Sequence, residues 1–228
     1  MKIANGVDPG IFIPEKRCLS SRNPYSMIWP SDPSRGLQHL APWWDTLKEE
    51  FPELEIHVFY GWSALFHEHR RRSKFHQDIY EAVEEMRGKE GVHWHGRVGQ
   101  DEMNEWASKC AIWPYMMDFP ESFCINAIKM QAHGCWPVIP KIAAIPEVTK
   151  YGDLVEMKDE AFDDMKPWGQ NRVATPQNAK DYIEALRERL HEGVPQDKLR
   201  EMIAFGRSWT WERVASQWDT EFRRAIEC

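Results

Sequence analysis

The sequence contains no uninterrupted apolar run of about 18 residues, the length a helix needs to cross a bilayer. It also opens without the basic-then-apolar pattern of a secretory leader, which makes the cytoplasm the expected location. Cysteine is sparse. The five present (Cys18, Cys110, Cys124, Cys135 and Cys228) are odd in number, far apart and without a C-x-x-C pair. That usage argues for reduced thiols, most of them in the core, over a disulfide framework or a zinc site. No D-x-D triad is present, and His67-x-His69 lacks helical metal spacing, with no nearby acidic or cysteine ligand placed to complete a site, so no metal is expected. Excess positive charge is absent too: the net charge is −7 at pH 7, which gives no general attraction to nucleic acid. No internal repeat or low-complexity tract is visible.

What the chain does contain is an ordinary globular composition, 42% hydrophobic and 29% charged over 228 residues. That suits one well-buried domain with an appendage. The twelve tryptophans fall mostly on helical apolar faces and read as packing. Residues 25–29 (YSMIW), 54–60 (LEIHVFY), 91–94, 111–115, 136–139 and 151–155 read as short strands, and helical stretches separate most of them. This alternation predicts an α/β fold with a doubly wound, Rossmann-like parallel sheet.

The first helix is expected from about Arg35 to Glu50, with Leu37, Leu40, Trp44 and Leu47 inward and Pro42 either kinking it or marking its true first turn. Residues 63–90 read as a helical, basic-starting segment whose charges form a solvated face; contact with an acceptor or an anionic membrane surface is the second reading. His93-x-His95 alternates as on a strand, and one or both read as structural histidines, with a catalytic base as the second reading. Residues 156–176 are polar and aperiodic, as in a loop or flap, and helices fill the chain from Pro176 onward. The expected division is a sheet domain over 1–175 and a helical segment over 176–228 that packs on it. The last helix carries Trp211, Val214, Ala215, Trp218 and Phe222 on one side, an apolar face suited to self-association.

Two places point to ligand chemistry. A strand, a Gly-containing turn and a helix around Arg35-Gly36 put a cation at the carboxyl end of a parallel sheet, where open α/β folds bind ligands. The stretch from Asp118 to Gly134, DFPESFCINAIKMQAHG, reads as an acidic loop entering a helix that Gly134 stops. A helix start presents unpaired amides to an anion. Glu121 then has two readings, a ligand-binding carboxylate or an acid favoured by the helix dipole.

Glu121-Ser122-Phe123-Cys124-Ile125 resembles the donor-site turn of GT-B retaining glycosyltransferases of family 4, in which a second Glu follows eight residues after the first. The resemblance extends over nearly the whole chain. NGVDPGIF resembles the lead into the family's C-terminal domain, SDPSRGLQHL its diphosphate-binding turn, HGRV its nucleobase-binding loop and SWTWERVASQW its closing helix. It implies the C-terminal, donor-binding half of a GT-B fold, a UDP- or GDP-sugar as substrate with no other cofactor, and an N-terminal Rossmann-like domain supplied in cis or in trans. Glu121 and Arg35 are implied as the catalytic pair, with Gly36, Gly61, Arg97, Val98, Ser122, Phe123, Cys124, Ile125 and Lys129 around the donor.

The chain departs from the family at two points. Lys129 stands where the second Glu is expected, and no arginine occurs between Arg22 and Arg35 to supply a second cation. A lysine donates to ribose hydroxyls but cannot accept from them. Altered nucleotide preference, a lysine paired with the diphosphate, and lost activity all follow as readings. The alternative function is therefore a noncatalytic nucleotide-sugar-binding or interaction domain. An epimerase-like enzyme is unsupported, for there is no G-x-G-x-x-G after the first strand and no Y-x-x-x-K pair.

Overall fold

Continuous apolar runs end up in the middle of the sheet. A computed structural model describes residues 5–20, 22–117, 119–158 and 175–227. Its six strands are β1 (Ser26–Trp29), β2 (Glu55–Phe59), β3 (Val92–Gly96), β4 (Ile112–Pro114), β5 (Trp136–Pro140) and β6 (Asp153–Val155). They form one sheet in the order β3-β2-β1-β4-β5-β6. Every pairing is parallel. All residues of β1, β4 and β5 are buried, whereas the edge strands β3 and β6 are partly exposed. Parallel sheets covered on both faces have this gradient.

The expected α/β doubly wound architecture is therefore present. Its helices are α1 (Glu15–Cys18), α2 (Trp44–Glu50), α3 (Ala64–Arg72), α4 (Lys74–Arg87), α5 (Gln100–Lys109), α6 (Ile125–Ala132), α7 (Ile145–Val148), α8 (Pro176–Glu192), α9 (Gln196–Arg207) and α10 (Trp211–Glu227). The strand order reverses between β1 and β4, and the loops leaving those two strands meet there. Such a reversal opens a crevice at the carboxyl ends of the strands.

Two expected helices differ from the sequence reading. The stretch from Arg35 to Glu50 is not one helix: 3-10 turns at Pro33–Arg35, Leu37–His39 and Ala41–Trp43 precede α2. Gly36 at φ 122° interrupts the ladder first, and Pro42, with no amide hydrogen, interrupts it again. The expected inward residues Leu37, Leu40, Trp44 and Leu47 are nonetheless buried. The basic segment is likewise two helices, because Ser73 adopts extended backbone. The break lets α3 fold back on α4, with the Arg70 guanidinium 3.8 Å from the Tyr80 ring and His69 beside His76.

α6 ends where Gly134 predicts. The Gly134 amide donates to the Gln131 carbonyl and the Cys135 amide to that of Met130, a Schellman closure made with Gly134 at φ 77°. The terminal helices hold to the same body through α8 and α9: Tyr182 donates to the Val138 carbonyl of β5, and α9 packs along α6. α10 is different. Val214 is buried, but Trp211, Trp218, Phe222 and Ile226 are exposed along it. Most of the polar stretch expected to form a loop, residues 159–174, lies outside the described residues, as do Asp118 and Cys228.

Candidate functional site

The loops after β1 and β4 are locked together before any side chain is considered. A Cβ on Gly36 would stand 1.9 Å from the Met116 carbonyl oxygen, so only glycine allows the turn after β1 to lie on the loop after β4. Asp32 organises that turn by accepting from the Ser34 amide at 2.9 Å. Asn126, in the first turn of α6, donates to the Pro30 carbonyl at 3.3 Å and to Ser31 Oγ at 3.2 Å, fastening the two loops from below.

Arg35 and Glu121, distant in sequence, meet across this seam. Arg35 Nη1 lies 3.5 Å from Glu121 Oε1, with the Arg35 side chain 47% exposed and that of Glu121 14% exposed. The guanidinium also lies over the Phe119 ring at 5.1 Å. The Tyr115 hydroxyl donates to the same Glu121 oxygen at 3.2 Å. Burial pushes the Glu121 carboxyl above its usual range, against the pull of Arg35 and the Tyr115 hydrogen bond. For Arg35, burial works to lower the pKa, but Tyr115 and Glu121 outweigh it and leave the guanidinium above its ordinary value. Burial raises the Tyr115 phenol as well.

Glu121 is not a helix-start acid. α6 begins at Ile125 with Cys124 as its N-cap, and the cap makes no side-chain hydrogen bond. The carboxylate belongs to the preceding loop, whose carbonyl at Glu121 accepts from the Ala144 amide at 3.2 Å. Cys124 is buried, and desolvation followed by the Glu121 charge pushes its thiol up to about 12, so it stays protonated at neutral pH. Ser122 is exposed, Ile125 is exposed at the mouth of α6, and Phe123 packs toward Trp209 at 6.0 Å.

The other candidate residues lie on the loops after β2 and β3. Tyr60 has φ 75°, a left-handed conformation rare for a bulky residue, and its amide donates to the Gly96 carbonyl at 2.7 Å. Arg97 lies 5.2 Å from the Tyr60 ring, Gly61 borders open space, and Val98 packs partly into the core. Lys129 reaches this side of the site: its Nζ donates to Gln100 Oε1 at 2.7 Å at the start of α5. Gln100 donates to Asn104 Oδ1 at 2.8 Å, and Asn104 to the Ile11 carbonyl at 3.0 Å. Burial lowers the Lys129 pKa.

Sequence reasoning named Arg35 and Glu121 but missed Tyr115 between them. A lone tyrosine in WPYMM carries no spacing signal; the burial of its ring and the direction of its hydroxyl exist only in the fold. It also missed His57, the centre of the histidine group. His57 Nδ1 and His95 Nε2 are 2.9 Å apart, and the His57 ring stacks on His93 at 4.9 Å and meets Trp106 at 4.2 Å. The structural reading of His93 and His95 agrees with these contacts. Cys18, Cys110, Cys124 and Cys135 are free buried thiols, and no metal-binding group of histidine, cysteine and acidic residues occurs among the described residues. Among those residues no helix is long and apolar enough to cross a membrane.

No family model and no curated protein sequence matches this chain. Solved structures do match. Sucrose-phosphate synthase from Thermosynechococcus elongatus aligns with a TM-score of 0.63 and 16% identity, over 99% of this chain and 52% of that one. The α,α-trehalose 6-phosphate synthase of Burkholderia multivorans aligns at 0.58 and 14%, over 93% of this chain and 44% of that one. A pneumococcal O-GlcNAc transferase, GtfA, in complex with UDP and GlcNAc, aligns at 0.55 and 13%, over 99% and 39%. This chain thus spans about half, or less, of the length of each. Its fold is the Rossmann-like fold of GT-B glycosyltransferases.

Proposed function

We propose that this chain is the donor-binding domain of a retaining glycosyltransferase of the family 4 type, which takes a sugar from a nucleoside diphosphate sugar. The observation that carries the reading is the meeting of Arg35 and Glu121 at the point where the strand order reverses. Two further facts support it: the fold is shared with glycosyltransferases, and one of them is described in complex with UDP and GlcNAc.

In this reading the diphosphate lies against the half-exposed Arg35 and the amides that follow Glu121. Negative charge grows on the diphosphate as the glycosidic bond breaks, and fixed donors aimed at it lower the barrier. Removing one such donor costs about 2.7–4 kcal/mol of barrier in comparable sites. Glu121 accepts from sugar hydroxyls and fixes the anomeric carbon relative to the diphosphate. Tyr60, Gly61, Arg97 and Val98 border the nucleoside side, and the Lys129 ammonium stands near it as a donor. An N-terminal Rossmann-like domain, in cis or in trans, brings the acceptor; the neighbours' greater length is consistent with such a domain.

Calorimetric titration with UDP, GDP, ADP and their common sugars tests the proposal. Selective binding that weakens at least tenfold in Arg35→Ala and Glu121→Ala is the expected result. Equal binding by these variants would remove both residues from the site.

One observation favours a second reading. Lys129 is held by a neutral amide relay and has no carboxylate partner among the described residues, which suits a noncatalytic binding or interaction domain. Lys129→Glu that gains neither nucleotide affinity nor activity, with an N-terminal domain supplied, would favour that reading.

A further inference from the structure

We propose that Tyr115 is the positioning residue of the donor site: its hydroxyl ties Arg35 and Glu121 into one unit and leaves a single carboxylate oxygen of Glu121 for the donor sugar. The proposal rests on the donor-site reading above. Tyr115 follows β4 directly, is 1% exposed, and cannot swing. Its ring stacks on Trp113 at 4.9 Å, meets Trp29 at 5.4 Å, and its amide donates to the Val138 carbonyl at 3.0 Å. The hydroxyl therefore emerges from a rigid platform built by three neighbouring strands.

The hydrogen-bond inventory points one way. Arg35 Nη1 and the Tyr115 hydroxyl both approach Glu121 Oε1, at 3.5 and 3.2 Å. Oε2 carries no hydrogen bond among the described residues. The cation and the phenol thus meet at one carboxylate oxygen, with the guanidinium charge and the phenol close enough to act on each other. Donation to the charged form of a carboxyl favours ionisation. Tyr115 thus opposes the burial that raises the Glu121 pKa, and keeps an ionised acceptor available to a sugar hydroxyl. Arg35 retains exposed surface for a diphosphate. A phenylalanine here would keep the packing and lose the hydrogen bond to Glu121.

Tyr115→Phe in the full chain tests this with two readouts. The first needs no ligand: carbon-13 titration of the side-chain carboxyls of glutamate, with Glu121 identified by its absence in Glu121→Gln. The Glu121 pKa is expected to rise in Tyr115→Phe, and an unchanged titration would overturn the proposal.

The second is calorimetry with whichever nucleotide sugar of the UDP, GDP and ADP panel the unsubstituted chain binds, compared with its nucleoside diphosphate. Affinity for the sugar donor is expected to fall about tenfold or more, the loss typical of a hydrogen bond to a charged group. Affinity for the diphosphate alone should stay within about threefold, and the acid limb of donor binding should move to higher pH. A merely structural role would weaken both ligands together and leave the acid limb in place, which would overturn the proposal. Absence of binding by the unsubstituted chain at millimolar ligand would instead overturn the donor-site reading on which this role depends, an outcome distinct from binding that Tyr115→Phe leaves unaltered. Near-ultraviolet circular dichroism checks that the variant is folded, and donor binding by Glu121→Gln as a function of pH gives a second measure, for its acid limb should vanish.

Discussion

Arg22 and Arg35 sit at opposite ends of one sheet and have opposite fates. Arg22 lies at the amino ends of the strands, where its Nη1 donates at 2.8 Å to the carbonyls of both Cys110 and Gly134. Its Nη2 donates to the carbonyl of Cys18 and, at 2.9 Å, to that of His133. Those carbonyls end α1, α5 and α6, where the helix dipoles are negative and a cation is favoured. Burial lowers the Arg22 pKa, and its Nε has no hydrogen-bond partner. Arg35, at the carboxyl ends, has a phenol and a carboxylate for neighbours and half of its side chain in solvent. One guanidinium is committed to backbone, whereas the other remains open to a ligand. A cation of the fold and a cation of the site are thus told apart by what satisfies their N–H groups, which the residue type does not reveal.

The sharpest way to break this comparison is to remove Arg22. Arg22→Met strands four carbonyls and is expected to lower the unfolding free energy by about 3–4 kcal/mol, measured in urea, because unsatisfied buried acceptors each carry a desolvation cost. Loss of less than about 1 kcal/mol would show that Arg22 is not the clasp described.

Acid should act next, through the histidine group of β2 and β3. His57, buried between His93, His95 and Trp106 with Glu55 beside it, has its pKa lowered to about 4 from an ordinary 6.5, chiefly by desolvation. Glu102 faces His95, and Lys109 lies over the Trp106 ring. The unfolded chain binds the His57 proton first as pH falls, so this stabilisation is complete above about pH 6.5 and is lost as pH drops toward 4. The loss amounts to roughly 3 kcal/mol at most. His57→Gln should flatten the dependence of melting temperature on pH in that window; an unchanged slope would refute the assignment.

Gly36→Ala sharpens the comparison, since it attacks the seam that Arg35 needs. The close approach to Met116 and the positive φ predict destabilisation of roughly 2–3 kcal/mol together with loss of nucleotide-sugar binding. Arg35→Ala should separate the two effects: stability within about 0.5 kcal/mol of the unsubstituted chain, as for exposed side chains, with donor binding weakened at least tenfold. A large stability loss in Arg35→Ala would erase the distinction from Arg22. The smallest effect is expected from Trp218→Ser with Phe222→Ser on the exposed face of α10. Melting should barely move, while sedimentation should show less self-association if that face pairs copies of the chain.

Much of the fold was legible because central parallel strands are buried on both faces and so appear as unbroken apolar runs; WPVIP and IWP needed no partner to be recognised. The stop at Gly134 was legible for a local reason, the left-handed residue that a helix end favours. Local propensity failed between Arg35 and Trp43 and at Ser73. In the first case Gly36 answers to the distant Met116; in the second the turn is stabilised by Arg70 on Tyr80 across the helix pair. The candidate site divides the same way. Arg35 and Glu121 stand out by residue type and by what surrounds them in sequence, but Tyr115 and His57 acquire meaning only from the rings and strands packed around them.

The sequence by itself determined the parallel α/β layering and the placement of a cation and a carboxylate after different strands, because hydrophobic periodicity and glycine conformation are properties of short stretches. Tertiary structure alone decided that those two groups meet, that a phenol donates to the same carboxylate oxygen, that Lys129 turns toward Gln100, and that Arg22 is committed to four carbonyls while Arg35 keeps exposed surface. Hydrogen bonds and burial are contacts between segments far apart in the chain, and no local pattern encodes which donor an acceptor will find.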